Sequence, residues 1–346
     1  MDFQELNSDQ RREAINTQQR YAAYRDANAQ AKRYRGSIVW ARIKGHEYLL
    51  RSHYTESGVR KQVSLGVRSE RTEALKSEYE RNRGDAERRL EEIKTVLARQ
   101  AAINRAIGLG RVPLIGAKII RALDEAAILG SGVRVVGINA IYAYESAAGV
   151  LIDPGLTTTE DIDLLLDTRR ELNLIAGEDV APPFFMRMLR KIDRSFERSS
   201  YPFRAVNRDG YQVDLIRPLR DPPWKTEPQP IRDPDDLLPV EIEGLAWHES
   251  APPFEAIAID QKGGPLRIVA TDPRVWVAHK LWLSKRMDRE AKRRRRDKAQ
   301  ARTVAHLLAE HMPHLRFAPE QLRMVPRQVF DDAASLFRGR NDLSIS

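Results

Sequence analysis

Asp161 and Asp163 stand two residues apart in Thr159-Glu160-Asp161-Ile162-Asp163-Leu164-Leu165-Leu166. Successive side chains of a β-strand point to opposite faces, so the two carboxylates share one face and Ile162, Leu164 and Leu166 take the other. Two acids projecting from an apolar base repel, and one protonates unless a cation sits between them. Mg²⁺ suits such a place, because it prefers oxygen ligands and commonly joins one or two carboxylates to substrate phosphates. A third acid, Asp214, falls mid-strand in Tyr211-Gln212-Val213-Asp214-Leu215-Ile216, where charge is rare without a reason. Phe203-Arg204-Ala205-Val206 precedes it across the turn Asn207-Arg208-Asp209-Gly210, and the two runs read as a β-hairpin. An Asp-x-Asp pair taken alone is more often a solvated strand end, so the reading depends on what surrounds it.

Those surroundings are elements able to hold phosphate. The β-branched run Val133-Arg134-Val135-Val136 enters Gly137 and then the helical pattern Ile138-Asn139-Ala140-Ile141-Tyr142-Ala143-Tyr144-Glu145. Glycine at a strand-to-helix junction lets backbone approach a ligand, and the helix start offers unpaired N–H groups. Farther on, Asp272-Pro273 opens a helix in which Lys280 lies among Val277, Leu281 and Leu283. Such a lysine usually extends its amine to water, and it would equally suit a triphosphate. Arg293 to Arg296 form a basic run that reads as a solvated loop or helix start. The helix after it carries Ala301, Val304, Ala305 and Leu308 on its apolar face, and Asp297 shares that face. An acid so placed has an ordered role near the site, pairing a base that binds substrate.

Strand, Gly-containing turn, helix, Asp-x-Asp strand and a third acid on a later strand together resemble the DNA polymerase β-like nucleotidyltransferase superfamily. The segments Val136 to Glu145 and Asp272-Pro273-Arg274 leading to His279-Lys280-Leu281-Trp282-Leu283-Ser284-Lys285-Arg286 resemble a bacterial nucleotidyltransferase-like group related to toxin and abortive-infection enzymes. The resemblance covers about residues 106 to 320. It implies a mixed sheet flanked by helices and transfer of a nucleoside monophosphate from an NTP to a hydroxyl. Asp161, Asp163 and Asp214 would be catalytic and would hold Mg²⁺ in a two-metal site. Gly137, Asn139, Lys280 and Arg296 would bind the nucleotide. The acceptor would be an RNA 3′ end, tRNA included, or a protein, and a cognate antitoxin is an expected partner. The superfamily places a small residue straight after the turn glycine, whereas Ile138 stands here. Either Asn139 or backbone N–H groups then contact the triphosphate, or the phosphate cradle is degraded.

The 346 residues include 58 basic and 49 acidic side chains, a formal charge of +9 that favours polyanionic partners. The absence of Cys excludes disulfides and thiolate metal sites. No apolar run approaches membrane-spanning length, so a cytoplasmic protein with no membrane partner is expected. An α+β fold in five parts follows: a polar helical arm (1–35), a three-stranded meander (36–68), a long connector helix (69–106), the catalytic domain (107–270) and a C-terminal helical domain (271–346). The connector helix is expected to break near Gly84. In the meander, Trp40, Tyr48 and Tyr54 alternate with Arg and Lys. That pattern suits either a stacking surface for nucleic acid or the small sheet's own core. Two rival functions remain open: a catalytically inactive nucleotidyltransferase-like protein that binds nucleic acid, and a metal-dependent phosphohydrolase or nuclease built on the same acids.

Overall fold

The computed structural model describes residues 3–54, 60–167, 184–219 and 235–337. The turn at Ser57-Gly58, most of the Pro-rich stretch expected between Arg217 and Pro239, and the polar tail lie outside the described residues.

Asn7 opens helix α1 (Ser8–Arg33) with a reciprocal cap: its side chain accepts from Gln10 N, and the Gln10 side chain accepts from Asn7 N. Before it, β1 (Phe3–Glu5) pairs antiparallel with β6 (Val150–Ile152) and ties the chain start to the core. Strands β2 (Ser37–Ile43), β3 (His46–Tyr54) and β4 (Arg60–Val67) form the expected antiparallel meander. The Arg68 guanidinium covers the Trp40 ring, and Arg51 covers the Tyr79 ring. Two of the meander's arginines are thus spent on packing.

Helix α2 (Glu70–Ala106) runs unbroken through Gly84, at about 1.5 Å per residue a rod of about 55 Å. The expected break is absent. A single glycine costs only about 1 kcal/mol in a helix, and here the turns around it are held by Arg83–Glu87 and Arg88–Asp85 ion pairs and by packing on α1. The α1–α2 seam is polar at one level. Buried Thr17 donates to Asn104 Oδ1 (3.1 Å), Gln100 donates to the same oxygen (2.9 Å), and Asn104 donates to Gly263 O (2.9 Å).

After helix α3 (Leu114–Glu125) come β5 (Val133–Val136), a 3₁₀ turn (Gly137–Ala140), α4 (Ile141–Ala148), the short α5 (Pro154–Thr157) and β7 (Asp161–Leu166). Helix α6 (Phe184–Ile192), β8 (Glu197–Arg198), β9 (Arg204–Val206), β10 (Gln212–Pro218), β11 (Val240–Ile242) and α7 (Leu245–Ser250) follow. The hairpin β12 (Pro253–Ile259) and β13 (Pro265–Thr271) closes the sheet. Among the described residues this is a mixed sheet of eight strands, in the order β12-β13-β5-β7-β10-β9-β8, with β11 beside β10. Helices α8 (Pro273–Lys285), α9 (Ala291–His311) and α10 (Arg327–Ala334) complete the chain, α8 packing against both others.

The period-two pattern sorts the residues of β7 as expected. Ile162, Leu164 and Leu166 join the main core with Val213 and Leu215 of β10, on the side of α3 and α6. Leu165 and Ile216 lie on the other face in a small cluster with Val136 and Leu245. The mixed α+β architecture, with its meander and long helix, is that of a nucleotidyltransferase fold.

Candidate active site

Strands β7 and β10 are parallel, and Asp163 stands directly opposite Asp214. On its other side Asp163 is opposite Val136 of β5, and Asp214 is opposite Arg204 of β9. Directly paired residues project to the same face of a sheet. One row across four strands therefore reads Val136, Asp163, Asp214, Arg204, with Asp161 one step along on the same face. Arg204 grips Asp214 with a two-pronged contact, Nε to Oδ1 at 2.7 Å and a terminal nitrogen to Oδ2 at 2.6 Å. The ring of Phe203 lies 5.6 Å from that guanidinium and the ring of Tyr201 5.9 Å.

Burial, then the charges of Asp161 and Asp214, push the Asp163 carboxyl up to about 7 against the opposing pull of Lys280 and Arg204. The three acids, the lysine and the arginine thus share one electrostatic field. Hydrogen bonding to Asp214 raises Arg204 further, so that guanidinium stays charged. Among the described residues no group of three His, Cys, Asp or Glu side chains is gathered as a ready-made metal cage. The donor chemistry nonetheless fits a hard cation at Asp161 and Asp163: carboxylate oxygens only, carrying a charge repulsion that a divalent ion would relieve.

Gly137 sits at φ +64°, beside Asp163. A β-carbon there would land on the Asp163 carboxylate. Its carbonyl accepts the Trp276 indole N–H at 2.8 Å, which ties α8 to the bend. Gly137→Ala is therefore expected to lower the melting temperature by a few degrees, consistent with about 1–2 kcal/mol for a non-glycine residue held left-handed. It should also weaken Mn²⁺ binding severalfold in a calorimetric titration, because the carboxylate must turn away.

Asn139 is buried, and its amide donates to Asp161 O at 2.7 Å, fixing the start of β7. Tyr211 donates to the same carbonyl at 3.4 Å, and burial keeps its phenol neutral. The Thr159 hydroxyl donates to Asp161 Oδ1. Lys280, one turn beyond Trp276 and 5.4 Å from its ring centre, donates to Asp297 Oδ1 at 2.8 Å, and Arg289 takes Oδ2 at 2.6 Å. Burial, with Lys280 close by, keeps His248 and His279 neutral. Arg296 reaches elsewhere, donating to Thr158 O. Gly137 and Lys280 are thus brought to the acids, Asn139 braces the strand that carries them, and Arg296 holds the loop before it.

Glu145 and the two tyrosines of the Tyr-Ala-Tyr-Glu segment position this assembly from behind. Glu145 takes two bonds from Arg111 (2.8 and 3.0 Å) and one from Ile152 N. Tyr142 donates to Thr157 O and Tyr144 to Thr271 O, so α4 grips both the approach to β7 and the entry to α8. Sequence reasoning gave no role to Arg204, Arg289 or Trp276. Arg204 had a signal: a hairpin that turns about Asp209 pairs position 204 with 214.

A nucleotidyltransferase family model matches residues 116–325, more than half of the chain. The chain belongs to that nucleotidyltransferase family and is a transferase of phosphorus-containing groups, whose general activity is nucleotidyl transfer. Divalent metal ions are usual in the family. No curated protein and no solved structure matches the chain. No helix among the described residues is long and apolar enough to cross a membrane.

Proposed function

We propose that the protein transfers a nucleoside monophosphate from an NTP to a hydroxyl of RNA or of a protein, using Mg²⁺ at Asp161 and Asp163. The observation that carries this reading is the parallel register that sets Asp163 beside Asp214, with Gly137 and Lys280 close by. A divalent cation bound there supplies neutralisation of triphosphate charge and polarisation of the α-phosphate. The chain's own residues do the rest. Gly137 leaves open the space beside Asp163, and Asn139 and Thr159 hold Asp161 in place. Lys280, mounted on α8 and steadied by Asp297, faces the β- and γ-phosphates. The acceptor oxygen bonds to the α-phosphorus while the bond to the bridging oxygen breaks; pyrophosphate leaves and the hydroxyl proton passes to water. Positioning and fixed charge account for most of the rate. The resemblance to toxin-like enzymes supports RNA or protein as acceptor, a cognate antitoxin as partner and the cytoplasm as the place of action.

The test is incubation with each α-labelled NTP, Mg²⁺ and total RNA or total cell protein, resolved on gels. Label that becomes covalently attached to an acceptor, and is absent with Asp161→Asn, is the expected result. Free nucleotide or cut strands without labelled acceptor would identify a hydrolase instead and overturn the proposal.

A further inference from the structure

The third acid of the row already has a cation of its own, the Arg204 guanidinium. Asp214 has both oxygens engaged by one guanidinium, at 2.7 and 2.6 Å. This fork-to-fork geometry is the strongest that arginine makes with a carboxylate, and it uses the inward lone pairs of both oxygens. It is built into the backbone rather than reached by a long swing, because Arg204 and Asp214 are directly opposed residues of one antiparallel hairpin. The hairpin itself is fixed by Asn207, which accepts from Asp209 N (3.1 Å) and Tyr211 N (2.8 Å). Arg204 is further pinned by its own backbone N–H, which donates to Tyr201 O, and by the Tyr201 and Phe203 rings. Asp214 is buried, so water does little to loosen the pair.

The charges agree with this geometry. Arg204 cancels Asp214. What is left without an arginine or lysine in contact, among the described residues, is the pair Asp161 and Asp163 on the neighbouring strand. One divalent ion matches two carboxylates. A second would be placed against a guanidinium at a carboxylate already neutralised.

We propose that the Arg204 guanidinium takes the position of a second cation, so that the site holds a single divalent ion on Asp161 and Asp163. This rests on the reading of those two acids as the cation site, and it replaces the two-metal arrangement expected from the sequence. Arg204 is then a positioning residue: it fixes Asp214 beside Asp163 and supplies permanent positive charge without exchange with solvent.

The experiment uses the full chain and Mn²⁺ as probe, with bound ions counted by equilibrium dialysis and read by electron paramagnetic resonance. The wild-type protein is expected to bind one Mn²⁺ per chain at the site, with the six-line spectrum of an isolated ion. Arg204→Gln frees Asp214 and is expected to bind a second ion, with the broadened spectrum of a spin-coupled pair. Asp214→Asn, which keeps the hairpin, is expected to retain one ion with affinity within about threefold of wild type. A coupled pair in the wild-type protein, or loss of the single ion in Asp214→Asn, overturns the proposal while leaving nucleotidyl transfer standing. Absence of any ion that depends on Asp163 removes the cation site itself, and the proposed function with it.

Discussion

Asp163→Asn is expected to yield a folded protein that melts higher than wild type in cation-free buffer at pH 8 and has lost nucleotidyl transfer by roughly 10³-fold or more. The two effects share one cause. Burial and two neighbouring acids push the Asp163 carboxyl up to about 7, against an unfolded value of about 3.9. The folded state therefore binds this proton more tightly than the unfolded chain does. The sign follows: the group costs no stability below about pH 4, costs progressively more as pH rises, and reaches its full penalty above about pH 7. Asparagine carries none of that penalty. The stability gap between variant and wild type should widen between pH 5 and pH 8, to roughly 1–3 kcal/mol. Added Mn²⁺ or Mg²⁺ should close the gap by stabilising wild type alone. Scanning fluorimetry at the two pH values, with chelator and with cation, measures each step. A gap that does not change with pH, or a variant that still labels its acceptor, would show that Asp163 is not the strained carboxylate of a cation site.

Residue alternation carried much of this site into view. Asp161 and Asp163 could be assigned to one face because a strand's period is two, and Asp214 drew notice as a charge inside an apolar strand. Their meeting is expected from the family resemblance and not from the residue pattern, since β7 and β10 pair across 45 intervening residues, from Asp167 to Tyr211, in a parallel register that only the assembled sheet defines. Arg204 is within reach of hairpin arithmetic, since a turn centred on Asp209 pairs it with Asp214, but residue type alone does not distinguish it from a solvated arginine. The three-residue strands β1 and β6 are too short to show any alternation, and their pairing is tertiary. In α2 the glycine at 84 suggested a break that local propensity alone would favour, and flanking ion pairs with packing on α1 outweighed it. The same helix hides a buried polar seam, Gln100 and Asn104 against Thr17, which a search for apolar periodicity has no means of detecting.

Asp297→Ala is expected to be among the most destabilising single changes in the chain, by about 3–5 kcal/mol. Lys280 is 7% exposed and Asp297 3% exposed, so only a small part of the pair reaches the surface, and the aspartate holds two cations at once. Removing it strands the Lys280 amine in a low-dielectric setting beside Trp276 and neutral His279, where no other acceptor within the described residues is bonded to it. The converse substitution separates structure from function. In the double variant Lys280→Met, Asp297→Leu, two buried charges give way to apolar groups of similar size, and stability should return to within about 1–2 kcal/mol of wild type. Urea denaturation of the two single variants and the double variant gives the coupling energy directly. If Lys280 were only the partner of Asp297, the double variant would bind triphosphate as wild type does. As the cation facing the β- and γ-phosphates, it must be missed even in a fully stable protein. The double variant is therefore expected to be near wild type in urea and weakened at least tenfold for NTP, and equal affinity in the two proteins would reassign Lys280 to the core.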